Sequence, residues 1–299
     1  MKYNKPALSP RQAVELLIAR GLKVEDEKYA EIVLENISYS RLSSYFKPFY
    51  VPRSNQFLRN ASFLNIVDLY EFDSRLREIM FYAIEAAEVS LRATLANYSA
   101  VNYRDVHVHL QPAYFDKKFN FADWKKAVDE CVGKAKKLND DVVVEFFENY
   151  PLSTDLPVYM VFELLSFGKL FELIKGLSFH DLKSVARLYG LESTLFVSWV
   201  HCIAYVRNLC AHHSRLWNRE LPINPKINIK DSDWNNINNK RLFSVLLVLK
   251  RFVRLENERG RWTEELISHI NQLPVKHRHA MGIPDDWENL LTSTTAVHE

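Results

Sequence analysis

Residues 63–101 read FLNIVDLYEFDSRLREIMFYAIEAAEVSLRATLANYSAV. Apolar positions recur at spacings of three and four throughout, and nowhere does the run alternate as a strand would. This is the longest periodic segment in the chain and predicts one long helix. It carries Glu71/Arg75, Asp73/Arg77 and Glu88/Arg92 at i,i+4, each acid on the N-terminal side, which is the favourable orientation. Such pairs usually decorate a solvated face and contribute only tenths of a kcal/mol. Glu85, Glu88 and Arg92 share one face among Ala83, Ala86, Ala87 and Ala93. Small residues let another helix approach closely, so this cluster reads either as surface decoration or as partly buried support for a site.

The chain on either side is helical too. Ser9-Pro10 before RQAVELLIAR and Gly21 reads as N-cap, first helical position and helix end. A second helix is expected over 26–36. Residues 37–49, ISYSRLSSYFKPF, are rich in aromatics and hydroxyls. They read as a packed connector, with Arg41 or Tyr45 as alternative contributors to a site. The pattern breaks over 102–120 around Pro112 and resumes over 121–138. That segment carries Lys125, Lys126, Lys134, Lys136 and Lys137, diluted by Asp123, Asp129 and Glu130. A solvated face is one reading; an RNA-phosphate track through Lys125 and Lys126 is the other. Helices are expected over 142–148, 158–165, 169–177, 179–189, 193–212, 241–254 and 263–271, with a polar loop at 224–240 and a tail carrying MGIPDDW. Sustained strand alternation is absent, so the fold class is all-α. Residues 1–60 read as an N-terminal helical extension packed on a helical domain of 61–299, with one compact unit overall.

The 299 residues carry 39 Lys and Arg against 37 Asp and Glu, so net charge alone does not announce a nucleic-acid binder. Seven glycines disfavour a Gly-rich phosphate cradle. Cys131, Cys202 and Cys210 form no Cys-x-x-Cys pair, which supports neither a disulfide framework nor a thiolate zinc site. No metal and no cofactor are expected. The N-terminus lacks a signal peptide's apolar stretch, and no run is apolar enough to span a membrane. A reducing, cytoplasmic location is the expectation.

The chemistry concentrates after the apolar run 196–205. Residues 206–219, VRNLCAHHSRLWNR, bring together Arg207, Arg215, Arg219, His212, His213, Asn208 and Asn218. With Arg207 at zero on a helical wheel, Asn208 falls near 100°, His212 near 140° and His201 near 120°. If the helix persists, Arg215 falls near 80° and Arg219 near 120°. Arg207 and His212 are then not neighbours on one helix. A second copy, antiparallel across a two-fold axis, could bring both into one cleft. Histidine exchanges protons near neutrality, and arginine supplies a planar charge suited to phosphate oxygens. The set lacks carboxylates, so it does not suggest a divalent-metal phosphoryl site. Metal-free RNA cleavage fits these residue types, because the 2′-OH of the substrate is itself the nucleophile. A capped helix end with surface charge is the rival reading. Arg104 and His109 repeat the five-residue spacing, and with 10 His in the chain one fortuitous match is unremarkable.

The block RNLCAHHSRLWN at 207–218 resembles the most recognisable motif of the Abi-like (AbiD/AbiF) abortive-infection proteins of bacteria, members of the HEPN superfamily. KPALSPRQAVELLIARGL, ISYSRLSSYFKPF, FDSRLREIMFYAIEAAEVSLRA, LPVYMVFELLSFGKL and MGIPDDW are similar in the same order, so the resemblance covers nearly the whole chain. It implies a HEPN-type helical bundle with an N-terminal extension and a C-terminal helical tail. It also implies a metal-independent endoribonuclease, acting as a toxin-type antiphage effector at a site composed across a homodimer. Carried over, Arg207 and His212 are catalytic, Asn208 and His213 supporting, and Arg215 a possible RNA contact. Such a toxin implies a neutralising partner, either a small RNA or an antitoxin protein. Asp105 stands where that motif prefers Asn, which sets the Arg104 match apart. A non-catalytic RNA-binding module and a purely structural helix end are the alternatives.

Overall fold

The computed structural model describes residues 7–293, which form fourteen α-helices and no strand beyond three isolated bridges. The all-α expectation holds. The chain divides into two compact units at 78/79.

The first unit contains α1 (Pro10–Ala19), α2 (Glu27–Ile37), α3 (Tyr39–Ser43) and the opening turns of α4 (Phe63–Tyr103). Ser9 Oγ accepts from the Gln12 backbone N–H at 3.3 Å, and the Gln12 side chain accepts from the Ser9 N–H at 2.9 Å. This reciprocal pair, followed by Pro10, starts α1 where the sequence places it. Asp26 caps α2 by the one-way bond alone, its Oδ1 accepting from the Tyr29 N–H at 3.0 Å. α1 packs on α2, and the two bury Ala13, Val14, Leu17, Ala30, Val33 and Leu34. The 37–49 connector is packed: Tyr45 and Phe46 are buried, and Phe46 meets Tyr39, Tyr50 and Phe57 edge-on. Tyr45 Oη donates to Asp73 at 2.6 Å, and Arg77 Nη1 reaches the same carboxylate oxygen at 2.5 Å. The Asp73/Arg77 pair is therefore not surface decoration. Leu69, Asp73 and Arg77 form an i,i+4 row on the buried side of α4, with Asp73 fully buried and Arg77 nearly so.

The second unit holds the remainder of α4 and then α5 (Phe121–Lys137), α6 (Asp141–Asn149), α7 (Val158–Leu164), α8 (Phe167–Gly176) and α9 (Phe179–Arg187). It continues with α10 (Ser193–Ala211), α11 (Leu242–Phe252), α12 (Glu256–Ile270), α13 (Val275–Ala280) and α14 (Trp287–Thr292). α10 packs against α8, α9 and α11. It buries Phe196, Trp199, Val200, Ile203, Val206 and Leu209, an apolar side wide enough to hold the helix by hydrophobic burial. α11 is buried almost all round, including Lys250. That ammonium uses its three donors on Asp233 Oδ2, the Leu290 carbonyl and Ser293 Oγ, tying the polar loop and the tail to α11. α12 begins at Glu256, seven residues ahead of the expected 263. Its first turns, ENERGR, are polar and carry no apolar period to announce them.

The MGIPDDW tail is a packing element. Met281, Ile283 and Trp287 are buried, and a Cβ on Gly282 would stand 2.4 Å from Cβ of Arg241. Arg241 in turn donates to Asn218 Oδ1 at 3.2 Å, so the tail backs the turn that follows α10. No helix among the described residues is long and apolar enough to cross a membrane.

Candidate functional site at the C-terminal end of α10

The helix carrying the Arg/His segment stops at Ala211, with His212 as its C-cap. Two backbone bonds close the end: the His213 N–H donates to the Cys210 carbonyl at 2.9 Å, and the Ser214 N–H to the Leu209 carbonyl at 2.8 Å. This is the Schellman pattern, with His213 in the left-handed position at φ 53° that glycine usually occupies. The wheel therefore ends at 212. Arg215 and Arg219 do not continue the face of α10, contrary to the extrapolation. They belong to a turn pinned by buried Leu216 and Trp217, in which Arg219 Nη1 donates to the Arg215 carbonyl at 3.2 Å. An L-residue in the left-handed region costs about 1 kcal/mol, so His213→Gly should raise the melting temperature by roughly 2 °C. A lower melting temperature in a thermal scan would show that the His213 side chain contributes more than its backbone costs.

On α10, Asn208 and His212 are exposed and Arg207 is half-buried. His201 lies on the same side as these polar groups, its ring stacked on Phe171 at 4.6 Å and 9°. Burial, and then Lys175, hold its pKa below the ordinary value. Among the described residues the Arg207 guanidinium makes no hydrogen bond. Its Nε is buried without a hydrogen-bond partner and stands 3.8 Å from Glu88 Oε2 on α4. The other oxygen of that carboxylate, Oε1, accepts from Arg92 Nη2 at 2.5 Å. Arg92 Nη2 also donates to the Leu165 carbonyl between α7 and α8 at 2.8 Å, and its Nη1 lies 3.9 Å from Glu163. Of the two readings of the Glu85/Glu88/Arg92 cluster, Glu88 and Arg92 take the partly buried one.

Lys125 and Lys126 lie elsewhere, on α5, which packs on α6 and α7. Each faces an exposed acid one turn on, Asp129 at 3.8 Å and Glu130 at 3.9 Å. Exposed pairs of this kind are worth a few tenths of a kcal/mol. Among the described residues no group of three or more His, Cys, Asp or Glu side chains gathers as a metal-ligand set, and Cys131, Cys202 and Cys210 form no disulfide.

The second Arg/His match is built differently. Arg104 is exposed just beyond α4, whereas His109 is fully buried and neither ring nitrogen has a hydrogen-bond partner among the described residues. Burial, reinforced by neighbouring His107, lowers its pKa from 6.5 to about 4. A ring kept neutral inside the fold but protonated when unfolded stabilises the protein fully above pH 6.5. That contribution fades as the pH falls towards 4. Between pH 7.5 and 4.5 the loss amounts to about 2.5 kcal/mol. His109→Leu, which removes the unpaired nitrogens, should match or exceed the parent at neutral pH and lack this part of the acid decline. Denaturant titrations at the two pH values check it: a parent–variant difference that stays constant with pH refutes the assignment.

The geometry defines an all-α protein with a half-buried arginine, its Nε beside Glu88, and an exposed histidine at one helix end. A family model described as Abi-like protein matches residues 32–218, a span that includes Glu88, Arg92, Arg207 and His212. The chain belongs to the Abi-like protein family, which places it among abortive-infection proteins. No curated protein and no solved structure matches it.

Proposed function

We propose that this protein is a metal-independent endoribonuclease of HEPN type that acts as an abortive-infection effector, halting growth by cutting cytoplasmic RNA. The observation that carries this reading is the state of Arg207. An arginine that is half-buried, held beside a carboxylate and free of hydrogen bonds to the protein keeps its planar donors for an oxyanion. His212, exposed five residues on, supplies the proton transfer. In the reaction the 2′-OH attacks the adjacent phosphorus as a base removes its proton. The P–O5′ bond then breaks as an acid protonates the leaving oxygen, leaving a 2′,3′-cyclic phosphate and a 5′-OH. Arg207 neutralises the charge that develops on the phosphoryl oxygens.

A five-residue offset turns His212 about 140° away from Arg207 on α10. Two copies of the chain, paired antiparallel along α10, join the Arg207 of one to the His212 of the other, so the active species is a homodimer. Asn208 supports the pair from the same helix. An unrestrained nuclease of this kind is toxic to its own cell, so the effector works with a neutralising partner, a small RNA or an antitoxin protein.

Mapping of RNA 5′ ends in cells briefly expressing the parent, against the Arg207→Ala/His212→Ala double variant, tests the function. New 5′-OH ends confined to the parent are expected, together with cleavage by the purified protein that survives EDTA. RNA binding without any parent-specific ends would replace the nuclease with a binding module.

A further inference from the structure

Glu88 touches two arginines and is itself only slightly exposed, its side chain at 12% against 14% for Arg92 and 36% for Arg207. Arg92 fixes one carboxylate oxygen while being held to the Leu165 carbonyl. The second oxygen is left facing Arg207 Nε. We propose that Glu88, locked from behind by Arg92, is a positioning residue that sets the orientation of the Arg207 guanidinium towards the scissile phosphate. The inference rests on Arg207 being the phosphate-binding arginine argued above. A guanidinium is planar, so turning Nε inward leaves the Nη edge as the face open to a phosphate.

The arrangement has an opposing effect that makes it testable. A carboxylate 3.8 Å from Arg207 weakens attraction to a polyanion, so Glu88 does not serve binding strength. Its contribution is alignment, and misplacing a group by about 1 Å costs on the order of 100-fold in rate. Removing the charge should therefore lower kcat without raising KM. A residue that merely braced α4 would move the melting temperature and leave the kcat-to-KM split untouched.

The experiment compares Glu88→Gln with the parent in the full-length protein, using a single-stranded RNA oligonucleotide as substrate. Glutamine keeps the size and an oxygen for Arg92 but loses the charge. The expected result is a kcat about 10- to 100-fold lower, with KM equal to or below that of the parent. In an Arg207→Lys background, whose ammonium has no edge to orient, the same change should have little further effect. Arg92→Lys, which keeps the charge but gives up the fork that grips Glu88 and Leu165, should reproduce the kcat loss. It stands in if Glu88→Gln does not fold. Parent-like kcat in Glu88→Gln, or an equal loss in the Arg207→Lys background, overturns the positioning role while leaving the nuclease reading in place. Parent-like cleavage by Arg207→Ala removes the site assignment itself, and this inference with it.

Discussion

Arg207→Ala and His212→Ala should each remove most of the proposed RNA cleavage, by about 100- to 1000-fold for the arginine and about 100- to 10,000-fold for the histidine. Neither loss should come from unfolding. Truncating Arg207 removes an ion pair at 3.8 Å but leaves Glu88 its shorter bond to Arg92. His212 is exposed, and its structural part at the C-cap is made by backbone groups that alanine also has. Melting temperatures within a few degrees of the parent are therefore part of the expected result. A mixture of the two variants adds a sharper readout. If the site is shared between two copies, the mixed dimer joins an intact Arg207 from one chain to an intact His212 from the other. Cleavage in the mixture should then exceed that of either variant alone. Variants that cleave like the parent would sink the assignment, and inactive variants that also melt many degrees lower would return this helix end to a purely structural role.

Local signals were legible in the sequence wherever a residue's role depends on near neighbours in the chain. The Ser9 cap with Pro10 behind it, the start of the second helix near 26 and the long period of α4 all lie where the pattern puts them. The end of α10 was expected near 212 and lies within a residue of it, but nothing in the sequence explained why the helix stops there. Its stop is a left-handed residue at 213, a position that usually announces itself as glycine and here is histidine. The apolar period ran through it because Leu216 and Trp217 are buried by a turn as they would have been by a helix. The start of α12 was missed for the converse reason, since a solvated first turn has no apolar period to read.

The candidate site divides in the same way. Arg207, Asn208 and His212 are contiguous in sequence and recognisable as a set. The hold on Arg207 comes from Glu88 on α4, more than a hundred residues earlier, which is itself braced through Arg92 at the α7–α8 junction and whose visible signature was an ordinary i,i+4 pair with Arg92. Glu88/Arg92 and Asp73/Arg77 share their i,i+4 spacing, with the order of charges reversed, with exposed pairs such as Lys125/Asp129. What separates them is burial, which in α4 is decided by helices distant in sequence.

Asp73→Ala should be the most damaging single substitution in the first unit, lowering stability by about 3–5 kcal/mol. Asp73 is fully out of water, and the Arg77 and Tyr45 that bond to it are nearly so. Burial and Asp73 together push the Tyr45 hydroxyl's pKa well above its ordinary value, so this phenol stays a donor throughout the working pH range. Removing the carboxylate strands a buried guanidinium and a buried hydroxyl together, whereas an exposed i,i+4 pair would lose only tenths of a kcal/mol. The contrast between those magnitudes makes the experiment decisive. Lys125→Ala on α5 serves as the exposed control and should leave stability within about 0.5 kcal/mol of the parent. Replacing the whole triad with well-packed apolar side chains should recover much of the loss, because a buried pair owes its sensitivity to the charge left behind rather than to a large net gain from pairing. Chemical denaturation of the three proteins checks the ordering. An Asp73→Ala protein as stable as the Lys125→Ala control would mean that water reaches Arg77 and that this face of α4 is solvated after all.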